Sequence, residues 1–234
     1  MELALFNMDG VLFLLRWIHF IFGVIWIGLL YFFNFVQGEF FKEIDAGMKN
    51  VAIQKLVPRA LWWFRWGAMF TFLSGLFIFT GTLHTGFPWH SGWGLSILIG
   101  AGFGTLMWFN VWFVIWPNQK VVIASANQVI SGGQPIADAA ARGARALTAS
   151  RTNVVFSFPM LFFMGAARHL GINRDFSMVD FRLAGGAIAI LALLLQLNAL
   201  KGKTGPMTTV KGVIHSGVLL TAIVYLAVEF LTRV

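Results

Sequence analysis

The stretch VLFLLRWIHFIFGVIWIGLLYFFNFV, residues 11–36, decides the class of fold. It holds one charge, Arg16, in a run long enough to cross a hydrocarbon layer, which needs about 20 residues of helix. Comparable runs follow near 61–82, 93–117, 153–170, 183–200 and 212–231. The expected fold is therefore all-α: a polytopic membrane helix bundle of about six transmembrane helices, with residues 1–234 forming a single integral membrane domain. Composition agrees, since 58% of the residues are hydrophobic and 11% are charged, whereas a soluble domain carries about 25% charged residues. A water-soluble globule is excluded.

Other classes fall with it. The absence of cysteine removes disulfides, thiolate metal sites, iron–sulfur clusters and covalent c-type haem attachment. There is no phosphate-cradling Gly loop, nucleophile elbow, H-E-x-x-H or dinucleotide fingerprint. Glu2 and Asp9 stand where the basic region of a cleaved signal belongs, so the first run is expected to stay.

The net charge of +8 is a matter of topology, and no nucleic-acid partner is expected. Twelve Lys and Arg lie in the segments after the first, third and fifth runs: Lys42, Lys49, Lys55, Arg59 and Arg65; Lys120, Arg142, Arg145 and Arg151; Lys201, Lys203 and Lys211. Five lie on the other side, namely Arg16, Arg168, Arg174, Arg182 and Arg233. Basic loops stay in the cytoplasm, which puts both termini outside. Residues 37–60 mix charged and apolar positions as a helix lying along the interface would. Residues 118–152 suggest two short helices divided at Ser131-Gly132-Gly133-Gln134-Pro135.

Polar residues at membrane depth carry the functional information, because each is costly there unless satisfied. In the first run Arg16, His19, Gly23 and Asn34 are spaced to fall close to one helical face. A His and an Arg one turn apart suit a b-type haem, with imidazole on the iron and guanidinium near the propionates. From spacing alone, a His bonded to a neighbouring helix with Arg16 snorkelling to the surface is the commoner arrangement. With run centres near residues 23, 162 and 222, a rise of about 1.5 Å per residue puts His19 roughly 6 Å and His169 roughly 10 Å outside the midplane. On the same scale His215 lies roughly 10 Å inside it. Axial ligands need nearly equal depth, so His19 pairs with His169, beside which Arg168 and Arg182 add positive charge. His84 and His90 lie in an uncharged outer loop and, with His169, form a weak candidate copper or zinc site.

Trp17, Trp89 and Trp93 mark the outer boundary; Trp62, Trp63, Trp66, Trp112 and Trp116 mark the inner one. Gly100, Gly104, Trp108, Trp112 and Trp116 recur at four-residue steps, as close helix packing or a wall for a flat cofactor or quinone would require. Asn110, Gln196 and Asn198 are expected to bond across helices.

Arg16-Trp17-Ile18-His19 through Gly23, Trp26-Ile27-Gly28 and Tyr31-Phe32-Phe33-Asn34 resembles the N-terminal membrane domain of the bacterial urate hydroxylase (urate oxidase) family. Pro58-Arg59-Ala60-Leu61-Trp62-Trp63-Phe64-Arg65-Trp66-Gly67 is similar to a second block of that family. Asn110-Val111-Trp112 with Ile115-Trp116-Pro117-Asn118-Gln119-Lys120 is similar to a third. The first run also resembles, more distantly, that of haem-carrying membrane protoporphyrinogen oxidases. The resemblance implies a redox-linked module. Urate-oxidising members carry a cytochrome c domain after the membrane part, whereas this sequence has no Cys-x-x-Cys-His. The expected electron exit is then a separate cytochrome c or a quinone, and urate oxidation by this chain alone is not expected. The alternative is a non-catalytic accessory subunit docked on a larger membrane complex. A small-solute transporter ranks last, because paired broken helices and a buried carboxylate are missing from the sequence.

Overall fold

The computed structural model describes residues 4–83, 90–170, 172 and 176–232. Every element among them is helical: α1 (Met8–Tyr31), α2 (Gly38–Glu43), α3 (Ala46–Lys55), α4 (Val57–Leu83), α5 (Gly92–Phe109), α6 (Trp116–Ile130), α7 (Ala139–His169), α8 (Met178–Lys201) and α9 (Val210–Leu231). Two π-helical segments, Phe32–Gln37 and Asn110–Ile115, carry α1 into α2 and α5 into α6 without a break. Helix starts are written locally. Asn7, Asp45, Ser91, Ser177 and Thr209 each accept a first-turn backbone N–H, as N-cap residues do. The end of α6 is equally local. Gly132 takes φ +83, and Gly132 N and Gly133 N donate back to the Val129 and Gln128 carbonyls, a Schellman cap that needs glycine in the left-handed region.

Five helical stretches are long and apolar enough to cross a membrane: Met8–Glu43, Val57–Leu83, Gly92–Ile130, Met178–Lys201 and Val210–Leu231. The chain is a multi-pass membrane protein. The sixth expected run, 153–170, lies in α7, which falls short in apolarity because it carries Arg151, Thr152, Asn153 and Ser157. It nonetheless packs inside the bundle. It runs antiparallel to α5, with Gly104 against Met160 and Gly100 against Met164. It runs parallel to α9, with Phe158 against Gly217 and Phe162 against Tyr225. α1 and α4 are antiparallel, pairing Leu12 with Gly81, His19 with Gly75 and Trp26 with Gly67. α7 touches α1, α5, α6, α8 and α9, and every residue from Arg151 to Ser157 is buried. Burial among helices, rather than an apolar surface, makes α7 tolerable in the layer.

The usual distribution of polarity is inverted. Val24 and Ile190 are 73% and 62% exposed, while Asn110 and Asn153 are 0% exposed; this is what lipid as solvent selects. The three basic segments share one end of the bundle, where Arg151 meets both Glu39 and the Met207 carbonyl.

Two expectations are revised. The break at 131–138 is where the sequence puts it, but the helices beside it are not short. α6 continues α5 through the π segment, and Ala137–Ala149 leads into the first half of α7, because nothing from Ala149 to Asn153 interrupts winding. Residues 37–60 do not lie alone on the interface either. α3 packs against α4 and α6, burying Ile53.

Candidate functional site

α1 and α4 approach closely because small residues line the contact. A Cβ on Gly67 would stand 3.2 Å from the Trp26 backbone nitrogen. About two turns further along α4, His19 lies against Ser74 and Gly75. Its Nδ1 is 3.2 Å from Ser74 Oγ. The Ser74 hydroxyl donates to the Phe70 carbonyl at 2.6 Å, with the Thr71 carbonyl at 3.1 Å as the other acceptor. A hydroxyl has one proton, and these carbonyls take it. His19 Nδ1–H is therefore the donor to Oγ, which assigns the tautomer and leaves the lone pair on Nε2. The Thr71 backbone also lies within hydrogen-bond reach of the ring. Gly75 is needed for this seating, since a Cβ there would be 3.1 Å from His19 Cε1. A second group that fixes one ring nitrogen so that the other is free is the arrangement of metal-ligating histidines.

The other candidates are placed as follows. Arg16 is exposed, one turn from His19. Asn34 leaves this face, because the wider π turn from Phe32 rewinds the helix and delivers Asn34 to α7, where its Nδ2 donates to Ser150 Oγ at 2.8 Å. Arg168 and His169 are exposed at the end of α7. The side-chain bonds between α1 and α7 lie elsewhere, at Tyr31–Ser157 and Asn34–Ser150, so the structure does not join His19 to His169. His90 is exposed and sets its ring edge-on to Phe181, 5.6 Å between centroids. His84 lies outside the described residues. Among the described residues no group of three or more His, Asp or Glu is arranged to hold a metal ion.

A second polar centre escaped the sequence reading in part. Asn110 Nδ2 donates to Asn153 Oδ1 at 2.8 Å and to Gln196 Oε1 at 2.9 Å. Gln196 Nε2 returns a bond to Asn110 Oδ1 at 2.6 Å, and Asn153 Nδ2 reaches the Met107 carbonyl at 3.0 Å. Asn110 and Gln196 bond across helices as expected. Asn198 does not; it turns to the Lys203 carbonyl beyond its own helix. Asn153 was the missed partner, although Ser150, Asn153 and Ser157 have the three- and four-residue spacing of one helical face.

The glycine–tryptophan row divides. Gly100 and Gly104 face methionines of α7, whereas Trp108 stacks on Phe72 at 4.2 Å, Trp112 meets Trp66 edge-on, and Trp116 lies 4.0 Å from the Arg65 guanidinium. A four-residue step advances about 40° beyond a full turn, so the row winds from α7 round to α4.

A family model described as urate oxidase N-terminal matches residues 82–224, more than half of the 234-residue chain. The matched span contains the third block quoted above and begins after the first two. No curated protein and no solved structure matches the chain.

Proposed function

The chain belongs to the urate oxidase N-terminal family, and from that premise we propose a redox-linked membrane module in which His19 would hold a b-type haem. The observation that carries this reading is the bond from His19 Nδ1 to Ser74, which puts the lone pair of the ring on Nε2. Ser74 holds the tautomer and the plane of the ring, and Gly75 lets the ring lie against α4. Arg16, one turn away and exposed, supplies positive charge for propionates. His169 and Arg168 lie exposed in the half of the bundle away from the basic end but are not joined to His19, so from the described residues of this chain His19 would hold the group. Bound haem supplies reversible one-electron transfer, and a separate cytochrome or a quinone is the electron partner. The gathering of the basic segments at one end supports a cytoplasmic position for that end, with both termini outside a bacterial inner membrane.

A reduced-minus-oxidised absorbance spectrum of the purified chain tests this. The expected result is a Soret and alpha band that disappears in His19→Ala, with the variant still in the membrane. A featureless spectrum, or one unchanged in His19→Ala, refutes the haem reading. A featureless chain that migrates within a larger complex on native gels would instead favour an accessory subunit.

A further inference from the structure

No Asp or Glu lies between Asp45 and Asp138, whereas the same stretch carries Lys49, Lys55, Arg59, Arg65 and Lys120. Among the described residues the ion pairs are made elsewhere, by Lys42, Arg142 and Arg151. Arg59 and Arg65 therefore stand in the first turns of α4 with no carboxylate to neutralise them. The chain answers Arg65 with aromatic faces: its guanidinium lies 4.0 Å from the Trp116 ring centroid and 5.8 Å from that of Trp112. Such contacts stabilise a cation but leave its charge uncancelled.

Arg59 is exposed, one turn before Trp62 and Trp63, which are 46% and 53% exposed. With Pro58 these side chains line an open groove of about 410 Å³ on the flank of α4. Its two indoles stand edge-on to one another, 4.9 Å between centroids. Trp62 reaches Trp66 at 6.4 Å, and Trp66 meets Trp112 at 5.5 Å, so an unbroken run of indoles joins the groove to the Arg65 stack.

Position and charge together select the occupant. The groove opens at the start of a helix long and apolar enough to cross the membrane, at the level where indoles sit among lipid headgroups. A guanidinium matches the geometry of a phosphate, and basic pockets at this end of membrane helices hold anionic headgroups. A zwitterionic lipid brings its own cation and so cancels part of that attraction. A free phosphate would meet the guanidinium but leave the indoles uncovered.

We propose that the groove binds one anionic phospholipid from the leaflet at the basic end, its phosphate on Arg59 and its glycerol and upper chain methylenes against Trp62 and Trp63. The site does not rest on the haem reading.

The test is native mass spectrometry of the full chain in detergent, titrated with phosphatidylglycerol, phosphatidylcholine and glycerol 3-phosphate. The expected result is a saturable first adduct of phosphatidylglycerol, at least about fivefold tighter than that of phosphatidylcholine, and none of glycerol 3-phosphate at equal concentration. Arg59→Gln should remove the preference. Lys203→Gln, which deletes the same charge from another exposed position at the basic end, should keep it. The double variant Trp62→Ala/Trp63→Ala leaves the charge unchanged and should weaken the adduct about tenfold. All three groove positions are exposed, so the variants should fold. Equal affinity for the two lipids, a loss in Lys203→Gln matching that in Arg59→Gln, or unchanged binding in the double variant overturns the proposal. Glycerol 3-phosphate binding as tightly as the lipid overturns it in favour of a free phosphate ester. The absorbance spectrum reports on His19 independently, so the two readings fail separately.

Discussion

Replacing Asn153 with leucine asks whether amide hydrogen bonds hold the centre of the bundle. Four bonds join Asn110, Asn153, Gln196 and the Met107 carbonyl, between 2.6 and 3.0 Å. Leucine keeps the number and branching of heavy atoms but removes two of the four bonds, Asn110 Nδ2 losing one acceptor and the Met107 carbonyl losing its side-chain donor. Interhelical hydrogen bonds in membranes average about 0.6 kcal/mol, so two lost bonds come to about 1.2 kcal/mol. Orphaned buried groups cost about 1–3 kcal/mol, which puts the expected loss for Asn153→Leu at about 1–3 kcal/mol. Asn110→Leu removes three of the four bonds and strands Gln196, so its loss should be larger. The two variants have one bond in common, and the double variant should be less destabilised than the sum by at least about 0.6 kcal/mol. Unfolding in mixed micelles of rising SDS fraction, followed by helicity, measures all four chains. An Asn153→Leu loss below about 0.3 kcal/mol, or two losses that simply add within the usual error of independent sites, would refute the reasoning.

The glycines should respond according to what a new Cβ meets. Gly217→Ala, whose Cβ would lie 2.5 Å from Phe158 Cδ2, and Gly67→Ala, pressed on the α1 backbone, should each lose about 1–3 kcal/mol. Gly28→Ala meets nothing within 4 Å and should gain about 0.5–1 kcal/mol from helix propensity; thermal midpoints in detergent check all three. Ser74→Ala removes the group that orients His19 and should weaken haem retention about 10–100-fold, read as faster loss of the Soret band to an apo-protein scavenger. An unchanged rate would sever Ser74 from the site.

The passes were legible in the sequence because a bilayer demands apolar length, and α1, α4, α5, α8 and α9 supply it plainly. α7 was legible only in its second half. Its first half reads as a surface segment, since the helices that cover Arg151 and Asn153 are distant in sequence. Side-chain direction was legible as far as winding is regular. His19 and Gly23 do share the α4 face, but 100° steps cannot reach Asn34 across the π turn at Phe32–Gln37. His19 stood out by its type; Ser74 did not, because a serine in an apolar helix commonly bonds its own preceding turn, as Ser74 also does. The seating of Arg151 was illegible, for it exists only where α7, Glu39 and Met207 meet.

The polar flank of α7 also bears on how the chain is made. Arg151, Thr152, Asn153 and Ser157 are each costly against lipid unless other helices cover them. When α7 leaves the ribosome, Asn110 is already outside it, but Gln196, Met207 and Gly217 have not yet emerged. Lateral release of α7 into lipid is then coupled to translation of the last two helices, and a polypeptide truncated before Val210 would have to keep that flank wet or chaperoned.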